Sequence, residues 1–300
     1  MSAITPGQSS SPRSSTPRQT GTVLDGIIAG VLTDLRERQL MVTEASLRGA
    51  IELVAAPLDP LPGLRRPGLS VISEVKRSSP SKGALAEIPD PAALARRYQA
   101  GGAAAISVLT EERRFGGTLA DLDQVRAHVS IPVLRKDFVV TEYQVLEARA
   151  HGADLVLLIV AALEDRELAG LYRLAVSLGM TPLVEVHTPQ EAHRAAELGA
   201  RLIGVNARDL KTLKVDTSHF GTLLGLLPEE AVKVAESGIL TLEDAVAASQ
   251  AGADAILVGE ALVRSGDPGT FLAEISRATG GGHRGRPDPA ATPNAPATGS

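Results

Sequence analysis

The chain of 300 residues is long enough for one large domain or two small ones, and its 44% hydrophobic but only 2% aromatic composition requires a core of aliphatic side chains. A net charge of −5, without any run of Lys or Arg, excludes a general attraction to nucleic acid, and the lack of Cys excludes disulfides and thiolate chemistry. The longest apolar run, 155–163, is well short of the roughly 20 residues that cross a bilayer, so no membrane partner is expected.

The two ends of the chain differ in composition from its middle. Residues 1–21 are rich in Ser, Thr and Pro, and residues 280–300 are rich in Gly, Pro and Ala. Neither segment has enough apolar surface to offset the entropy of ordering, so both are predicted to be disordered tails around a folded domain at 22–279. Residues 1–21 lack the apolar segment of a secretory signal, which favours a cytoplasmic protein, and their composition leaves an organelle transit peptide as the alternative.

Residues 22–54 precede the first predicted strand. They are predicted to be helical, because apolar side chains recur at helical spacing over 24–38. Such an extra helix would either cover the amino end of the fold or lie near the opposite end and help to enclose a ligand. The sequence leaves both positions open.

From residue 98 onward one pattern recurs, in which an amphipathic helix ends in Gly and an apolar strand follows at once. It appears at 98–110, 148–160, 195–208 and 248–259. The Gly fits a helix C-terminus, where a positive φ is needed. The uninterrupted apolar runs are typical of parallel strands buried on both faces.

Eight such strands are predicted, with room for one helix between each pair: 70–76, 104–109, 131–138, 154–160, 182–187, 201–206, 231–237 and 254–259. Eight βα units predict an α/β fold that consists of a single (β/α)8 TIM barrel with the N-terminal helical extension. The alternative is an open doubly wound sheet. It is disfavoured because the segment RSSPSKG, after the first strand, is not the GxGxxG of such folds.

Polar and charged side chains stand where several predicted strands end, and Glu236 ends one of them. In a barrel these carboxyl ends meet around one site, and alternation places residues two apart on one face. Solvated charges at the rim would give a similar pattern at any single strand. Opposite signs that recur at the same end of several strands favour a shared pocket, which we predict to be lined by Glu74, Lys76, Lys136, Glu185, Asn206 and Arg208.

A second pattern indicates an anion site after the last two strands. Gly238 in AESGI and Gly259 in LVGEAL each precede a predicted helix, and backbone N–H groups at such places favour phosphate. Gly in such a loop is also commonly a simple turn residue. Ser79 is interpreted as a loop donor to a ligand anion. None of the six His forms a zinc-type pair, so no metal is expected.

Seven segments closely resemble the indole-3-glycerol-phosphate synthase family: SEVKRSSPSKG, ISVLTEERRFGGTLADL, IPVLRKDFVVTEYQVLEARAHGADLVLLIVAAL, LVEVHTPQEAHRA, GVNARDLKTLKVD, AESGI and LVGEALV. They lie in order between residues 23 and 279. The resemblance implies a (β/α)8 barrel with an N-terminal helix. It implies the cofactor-independent conversion of 1-(2-carboxyphenylamino)-1-deoxyribulose 5-phosphate to indole-3-glycerol phosphate, CO2 and water, a step of tryptophan biosynthesis.

The resemblance also implies roles for residues in these motifs. Lys136 would be the general acid that protonates the substrate carbonyl. Lys76 would hold the anthranilate carboxylate and assist the later dehydration, and Glu185 would act as base or stabilise the cationic intermediate. The other implied residues orient these groups, pack on the ring or bind anionic groups: Glu74, Asn206 and Ser237 beside the acid and base, Phe115 and Phe138 on the ring, and Ser79, Arg208, Gly238 and Gly259 at the anionic groups.

Two further expectations concern chemistry and assembly. A desolvated ammonium beside a second cation can have its pKa lowered towards neutral pH, and this is expected for Lys136 near Lys76. The predicted partner is a small phosphorylated molecule, bound by a monomer. The rival hypotheses are a sugar-phosphate isomerase barrel, which would favour a Cys/Asp acid–base pair, and a non-catalytic phosphate sensor, which would lack an acid or a base.

Overall fold

Eight parallel strands close into a barrel. The computed structural model describes residues 18–79, 83–85, 87–210 and 212–280. The barrel strands are β1 (Ser70–Val75), β4 (Ala105–Leu109), β5 (Val133–Lys136), β6 (Leu155–Ile159), β7 (Thr181–Val186), β8 (Leu202–Asn206), β9 (Val232–Glu236) and β10 (Ala255–Val258). A small antiparallel pair, β2 (Ser78–Ser79) and β3 (Gly83–Ala84), follows β1.

The strands follow one another around the barrel in chain order, and β10 pairs with β1 to close it. Ser70 pairs with Ala255 at this seam, and Ile72 pairs with Ala105 on the other edge of β1. All eight predicted strands are present, and their ends lie within two residues of the prediction. The predicted (β/α)8 barrel is therefore confirmed, and the open doubly wound sheet is excluded.

Helices surround the barrel: α1 (Val23–Met41), α2 (Glu44–Ile51), α3 (Leu61–Leu64), α4 (Pro91–Ala100), α5 (Glu112–Phe115), α6 (Leu119–Arg126), α7 (Glu142–Ala150), α8 (Asp165–Ser177), α9 (Pro189–Glu197), α10 (Phe220–Leu226), α11 (Leu242–Gln250), α12 (Glu260–Arg264) and α13 (Pro268–Thr279). Short 3-10 turns lie at Val160–Ala162 and Thr217–His219. None of the helices within the described ranges is long and apolar enough to span a membrane.

The helix ends show why the recurrent sequence pattern gives βα units. Thr141 begins α7 with a capping box, in which its hydroxyl accepts the Gln144 N–H and the Gln144 side chain accepts the Thr141 N–H. The Gly residues of the recurrent pattern have positive φ, for example Gly152 (φ 80°) after α7 and Gly199 (φ 73°) after α9. These left-handed residues turn the chain from helix to strand, as predicted.

The N-terminal extension runs along the outside of the barrel. Val23, Leu24 and Ile27, in the first turns of α1, line a cavity at the carboxyl ends of the strands. Further along, the Leu58 N–H donates to the carboxylate of Asp154, just before β6, at the amino end of the barrel. The extension therefore helps to enclose the cavity with α1 and reaches the opposite end before β1, which decides between the two positions that the sequence left open.

The predicted tails at 1–21 and 280–300 lie almost entirely outside the described residues, and the proposed domain limits of 22–279 stay a prediction. At the described edge of the first tail, the Asp25 side chain of α1 accepts hydrogen bonds from the backbone of Thr20 and Gly21. Next to them, Thr22 caps α1 through the Leu24 N–H.

Candidate active site

One cavity opens at the carboxyl ends of the barrel strands, and it contains about 1170 Å³ of space not filled by atoms, including its open mouth. All twelve residues that the sequence analysis singled out line it: Glu74, Lys76, Ser79, Phe115, Lys136, Phe138, Glu185, Asn206, Arg208, Ser237, Gly238 and Gly259. They come from different strands and the loops that follow them. The barrel thus brings together groups separated by up to 185 positions in the chain.

Lys136 is the central cation of this cavity. It ends β5, and its side chain is only 14% exposed. The ammonium Nζ lies 3.2 Å from Glu185 Oε2 and 3.4 Å from Glu236 Oε2. A buried ammonium is stable only when polar and anionic partners replace its hydration, and the carboxyl groups of Glu185 on β7 and Glu236 on β9 supply that replacement.

Lys76 belongs to a second ion pair in the same cavity. Its Nζ lies 2.6 Å from Glu74 Oε1, and the two side chains leave β1 on the same side, as alternation predicts. A Cβ placed on Gly259 would come within 2.7 Å of Glu74 Oε1 and 3.3 Å of Lys76 Cε. Gly259 therefore keeps open the space beside this pair.

The carboxylates around Lys136 set its protonation. Burial alone would lower the pKa of Lys136, but the nearby charges of Glu185, Glu236 and Glu74 outweigh burial and raise that pKa above its ordinary value. The expectation that a neighbouring cation lowers this pKa is wrong, because the carboxyl groups nearby have the larger effect. Lys136 is consequently a fully charged ammonium at neutral pH.

Glu185 and Glu236 differ in protonation although both are buried. Burial acts to raise the pKa of Glu185, but the charges of Lys136 and His187 outweigh it and leave that pKa below its usual range. Burial raises the pKa of Glu236 to about 8; the charge of Lys136 opposes this shift and that of Glu185 adds to it. At neutral pH Lys136 therefore has one carboxylate neighbour, Glu185, and one protonated carboxyl neighbour, Glu236.

Glu236 was recognised as a charged strand end but was left out of the residues predicted to line the pocket. Within the described chain, neither of its carboxyl oxygens has a hydrogen-bond partner. Its neighbour Ser237 also lines the cavity, because a left-handed backbone (φ 68°) interrupts the alternation there. The usable signal was the acidic residue at the last regular strand position.

A further residue that the site assignment missed is His187. Its side chain is 7% exposed, and its ring nitrogens lie 3.4 Å from Glu185 Oε1 and 3.4 Å from Glu191 Oε2. Glu191, at the start of α9, also accepts the backbone N–H of His187 at 2.7 Å. His187 thus lies between the cavity carboxylate and the following helix, and its position two residues after Glu185 was the available signal.

An aromatic wall stands on the side of the cavity nearest β4 and β5. The ring centroids of Phe115 and Phe138 are 6.1 Å apart, and their planes make an angle of 39°. Val23 and Leu24 of α1 add apolar surface to the same cavity. A flat aromatic group fits beside such a wall, because tilted and edge-to-face ring contacts are favourable.

Polar groups line the side formed by the ends of β8, β9 and β10. The Asn206 side chain accepts the backbone N–H of Arg208 at 3.0 Å, and an Arg208 guanidinium nitrogen donates to the Leu213 carbonyl at 3.1 Å.

Gly238 has a φ of 81°, and a Cβ there would collide with Val215 and Thr217. Gly259 directly precedes α12, so its neighbourhood presents N–H groups not used within the helix.

The fold and this cavity define the class of protein: a (β/α)8-barrel enzyme with acid–base groups at the carboxyl ends of its strands. A family model described as indole-3-glycerol phosphate synthase matches residues 24–275. An indole-3-glycerol phosphate synthase of Rhodococcus opacus (strain B4) is 58% identical over 268 residues, which cover 89% of this chain and 99% of that protein. The enzyme of the same name from Nocardioides sp. is 61% identical, over 82% of this chain and 95% of that protein. The chain belongs to the indole-3-glycerol phosphate synthase family.

Solved structures with low identity share the fold alone. A 3-hexulose-6-phosphate synthase from Salmonella typhimurium superposes with a TM-score of 0.55 at 15% sequence identity, over 70% of this chain and 97% of that chain. At this identity the likeness supports the barrel architecture and carries nothing about the reaction.

Proposed function

We propose that this enzyme closes the indole ring of 1-(2-carboxyphenylamino)-1-deoxyribulose 5-phosphate and releases CO2 and water to give indole-3-glycerol phosphate in tryptophan biosynthesis. The observation that carries the proposal is the buried Lys136 ammonium between Glu185 and Glu236, facing a cavity with an aromatic wall and a polar wall. A ring closure on a ketone needs an acid near the carbonyl oxygen and anionic groups near the cation that forms.

In the first step the ring carbon that bears the carboxylate attacks the carbonyl carbon of the sugar. The carbonyl oxygen takes a proton from Lys136 and becomes a hydroxyl group, and positive charge develops on the anilino nitrogen. The ionised Glu185, 3.2 Å from Lys136 and with a side chain that is only 3% exposed, stabilises that charge. Glu74 and Asn206 orient the acid and the base.

The bond to the carboxylate then breaks, CO2 leaves, and its electron pair neutralises the cationic nitrogen. In the last step the hydroxyl group leaves as water with a proton from Lys76, and the adjacent carbon loses a proton to Glu185. Two protons are taken up and one is released, which balances the loss of the carboxylate charge. Each step uses only proton transfer and charge stabilisation, so the proposed reaction uses no cofactor.

Binding groups are arranged around this reaction centre. Phe115 and Phe138 pack on the aromatic ring, and Lys76 holds its carboxylate before decarboxylation. We assign the phosphate to the polar side of the cavity, where backbone N–H groups and positively charged or hydroxyl side chains converge: Gly238, Gly259, Ser237, Arg208 and Ser79.

The proposed working form is a monomer with one folded domain at residues 22–279, located in the cytoplasm. The single domain is supported by the barrel strands and the cavity-lining residues, which all lie between residues 22 and 279. Gel filtration with light scattering would measure the mass, and a dimer would reject the monomer.

The proposal is tested by following indole fluorescence when the purified protein is given the carboxyphenylamino sugar phosphate. The chain contains no Trp, so the background is low. Lys136→Met is expected to lower kcat by roughly 10²–10⁴-fold, because general acid catalysis contributes about that much.

The matched control is Lys233→Met, also on a barrel strand. Lys233 donates to the Leu224 carbonyl of α10 at 2.9 Å, away from the cavity, and this variant should keep kcat. Wild-type protein that binds the substrate without forming indole would reject the synthase and favour a phosphate sensor. Full activity of Lys136→Met would reject only the role of Lys136.

A further inference from the structure

A second buried ionic cluster is centred on the outer side of the strand that carries Lys136, and one of its members, Asp137, also borders the cavity. Arg135, the preceding residue of β5, points away from the cavity and is 0% exposed. Its Nη2 lies 3.0 Å from Asp137 Oδ2 and 2.9 Å from Glu147 Oε2 of α7. Arg38 of α1 donates to both oxygens of Glu147, at 2.8 and 3.2 Å. We call these four residues, Arg38, Arg135, Asp137 and Glu147, the outer cluster.

The outer cluster is balanced in charge and well supplied with hydrogen bonds. Two guanidinium groups face two carboxylates. The remaining Arg135 nitrogens donate to Thr110 Oγ1 at 3.2 Å and to the Gln144 carbonyl at 3.0 Å. Asp137 accepts the Thr110 hydroxyl at 2.6 Å. Such a saturated arrangement holds its members in one geometry, whereas removal of one partner leaves a buried charge uncompensated.

This geometry reaches the two peptide units that follow Lys136. The Thr110 N–H donates to the Lys136 carbonyl at 3.1 Å. In the next peptide unit, Asp137 Oδ1 accepts the Phe138 N–H at 2.8 Å. The outer cluster therefore fixes the peptide units from which the Lys136 ammonium and the Phe138 ring extend into the cavity.

Arg38 is the member that comes from the N-terminal extension. It lies eleven positions after Ile27, or about 16 Å along α1, so it stands well away from the cavity that Ile27 lines. Its guanidinium completes the charge balance of Glu147, which would otherwise share only Arg135 with Asp137. The same bond fixes α1, whose first turns cover the cavity, to α7.

We propose that Arg38 is a positioning residue for the proposed reaction: through Glu147 and Arg135 it holds the Lys136 end of β5 and the covering helix α1 in one relative position. Arg38 does not contact the substrate. It determines the position of the Lys136 ammonium when the carbonyl oxygen is protonated. This inference rests on the proposed function, because it concerns the placement of the acid in that reaction.

The test measures kcat and KM of Arg38→Met for indole formation, at a temperature where circular dichroism shows the variant fully folded. We expect kcat to fall about tenfold and KM to change by less than threefold. A displacement of reacting groups by 1 Å can cost about 10²-fold in rate, and loss of a tie at this distance should shift Lys136 by less. Arg38→Lys, which keeps the charge beside Glu147, should recover kcat to within about threefold of wild type.

The matched control is Arg48→Met on α2. It breaks an exposed pair in which Arg48 Nη2 lies 2.7 Å from Glu44 Oε1, and it should leave both constants unchanged. If Arg38→Met does not fold, Arg38→Gln carries the same expectation. Wild-type kcat in the folded Met or Gln variant would overturn the proposal, and so would a Lys variant as slow as the Met variant. Wild-type protein without indole formation would instead reject the proposed function.

Discussion

Two adjacent residues of one strand build two different ionic clusters. Arg135 faces the helices and is saturated by Asp137, Glu147, Thr110 and a backbone carbonyl. Lys136 faces the cavity, where Glu185 and Glu236 are its near carboxyl partners. Among the described residues, both carboxyl oxygens of Glu236 lack hydrogen-bond partners. We call Lys136, Glu185 and Glu236 the inner cluster. The outer cluster is saturated with hydrogen bonds, while the inner cluster has fewer of them and lies beside open space.

This difference shows how burial of charge serves two purposes in one barrel. A saturated cluster gains rigidity and has no capacity left for a ligand. An unsaturated cluster is costly in the free protein, and a substrate that supplies the missing partners recovers that cost. Both sides of β5 carry buried charge. They differ in how completely that charge is hydrogen-bonded, and the less saturated side is the one that we propose to be catalytic.

The largest expected effect on the outer side is loss of stability. Arg135→Met leaves Asp137 and Glu147 short of a buried cation, and removal of one partner of a buried pair typically costs about 3–5 kcal/mol. The free energy of unfolding, measured by urea denaturation, should fall by about this amount. The free energy of unfolding should fall much less in Lys136→Met, because Glu185 can take up a proton and the cavity is open to solvent. Equal losses in the two variants would break the comparison.

A smaller effect, on kcat, is expected when an added methyl group crowds the inner cluster and removes none of its charged groups. Gly204 lies on β8 beside Glu236, and a Cβ there would come within 3.0 Å of Glu236 Cδ and closer still to Oε1. Gly204→Ala should displace the Glu236 carboxyl group and the neighbouring Lys136, and lower kcat by up to roughly 10²-fold. Steady-state kinetics would measure the loss.

Gly170→Ala on α8 is the control for this substitution. Among the described residues, no heavy atom outside its local backbone lies within 4 Å of a Cβ placed there. This variant should keep kcat and gain roughly 0.5–1 kcal/mol of stability, because Ala loses less backbone entropy in a helix. Wild-type kcat in Gly204→Ala would mean that the position of Glu236 does not matter.

The smallest effect is a change in how stability depends on pH. The pKa of Glu236 is raised from its ordinary value of 4.5 to about 8, so its neutral form stabilises the fold fully below about pH 4.5. That contribution is lost as pH rises through 8. Glu236→Gln cannot ionise, so its unfolding free energy relative to wild type should rise between pH 5 and pH 8 and then level off. A difference that stays constant with pH would show that Glu236 is not protonated in the native protein.

Much of the fold could be predicted because its signals are local. The Gly at the end of each helix and the apolar run after it predicted the strands to within two residues, and Thr141 marks the start of α7 by a capping box within one turn. Alternation likewise placed Lys76 with Glu74 on the cavity side of β1. Alternation could not predict the orientation of Ser237, because a left-handed backbone turns the chain there, after β9.

The sequence by itself determined that eight βα units would form and that charged groups would meet where their strands end, since both depend on spacing within a few residues. Only the tertiary structure decided which charges are neighbours. It raised the pKa of Lys136 through Glu185 and Glu236, and it connected Arg38 to Arg135 through Glu147. Electrostatic interaction depends on distance in space and on exclusion of water, and these are fixed only when strands and helices far apart in the chain pack together.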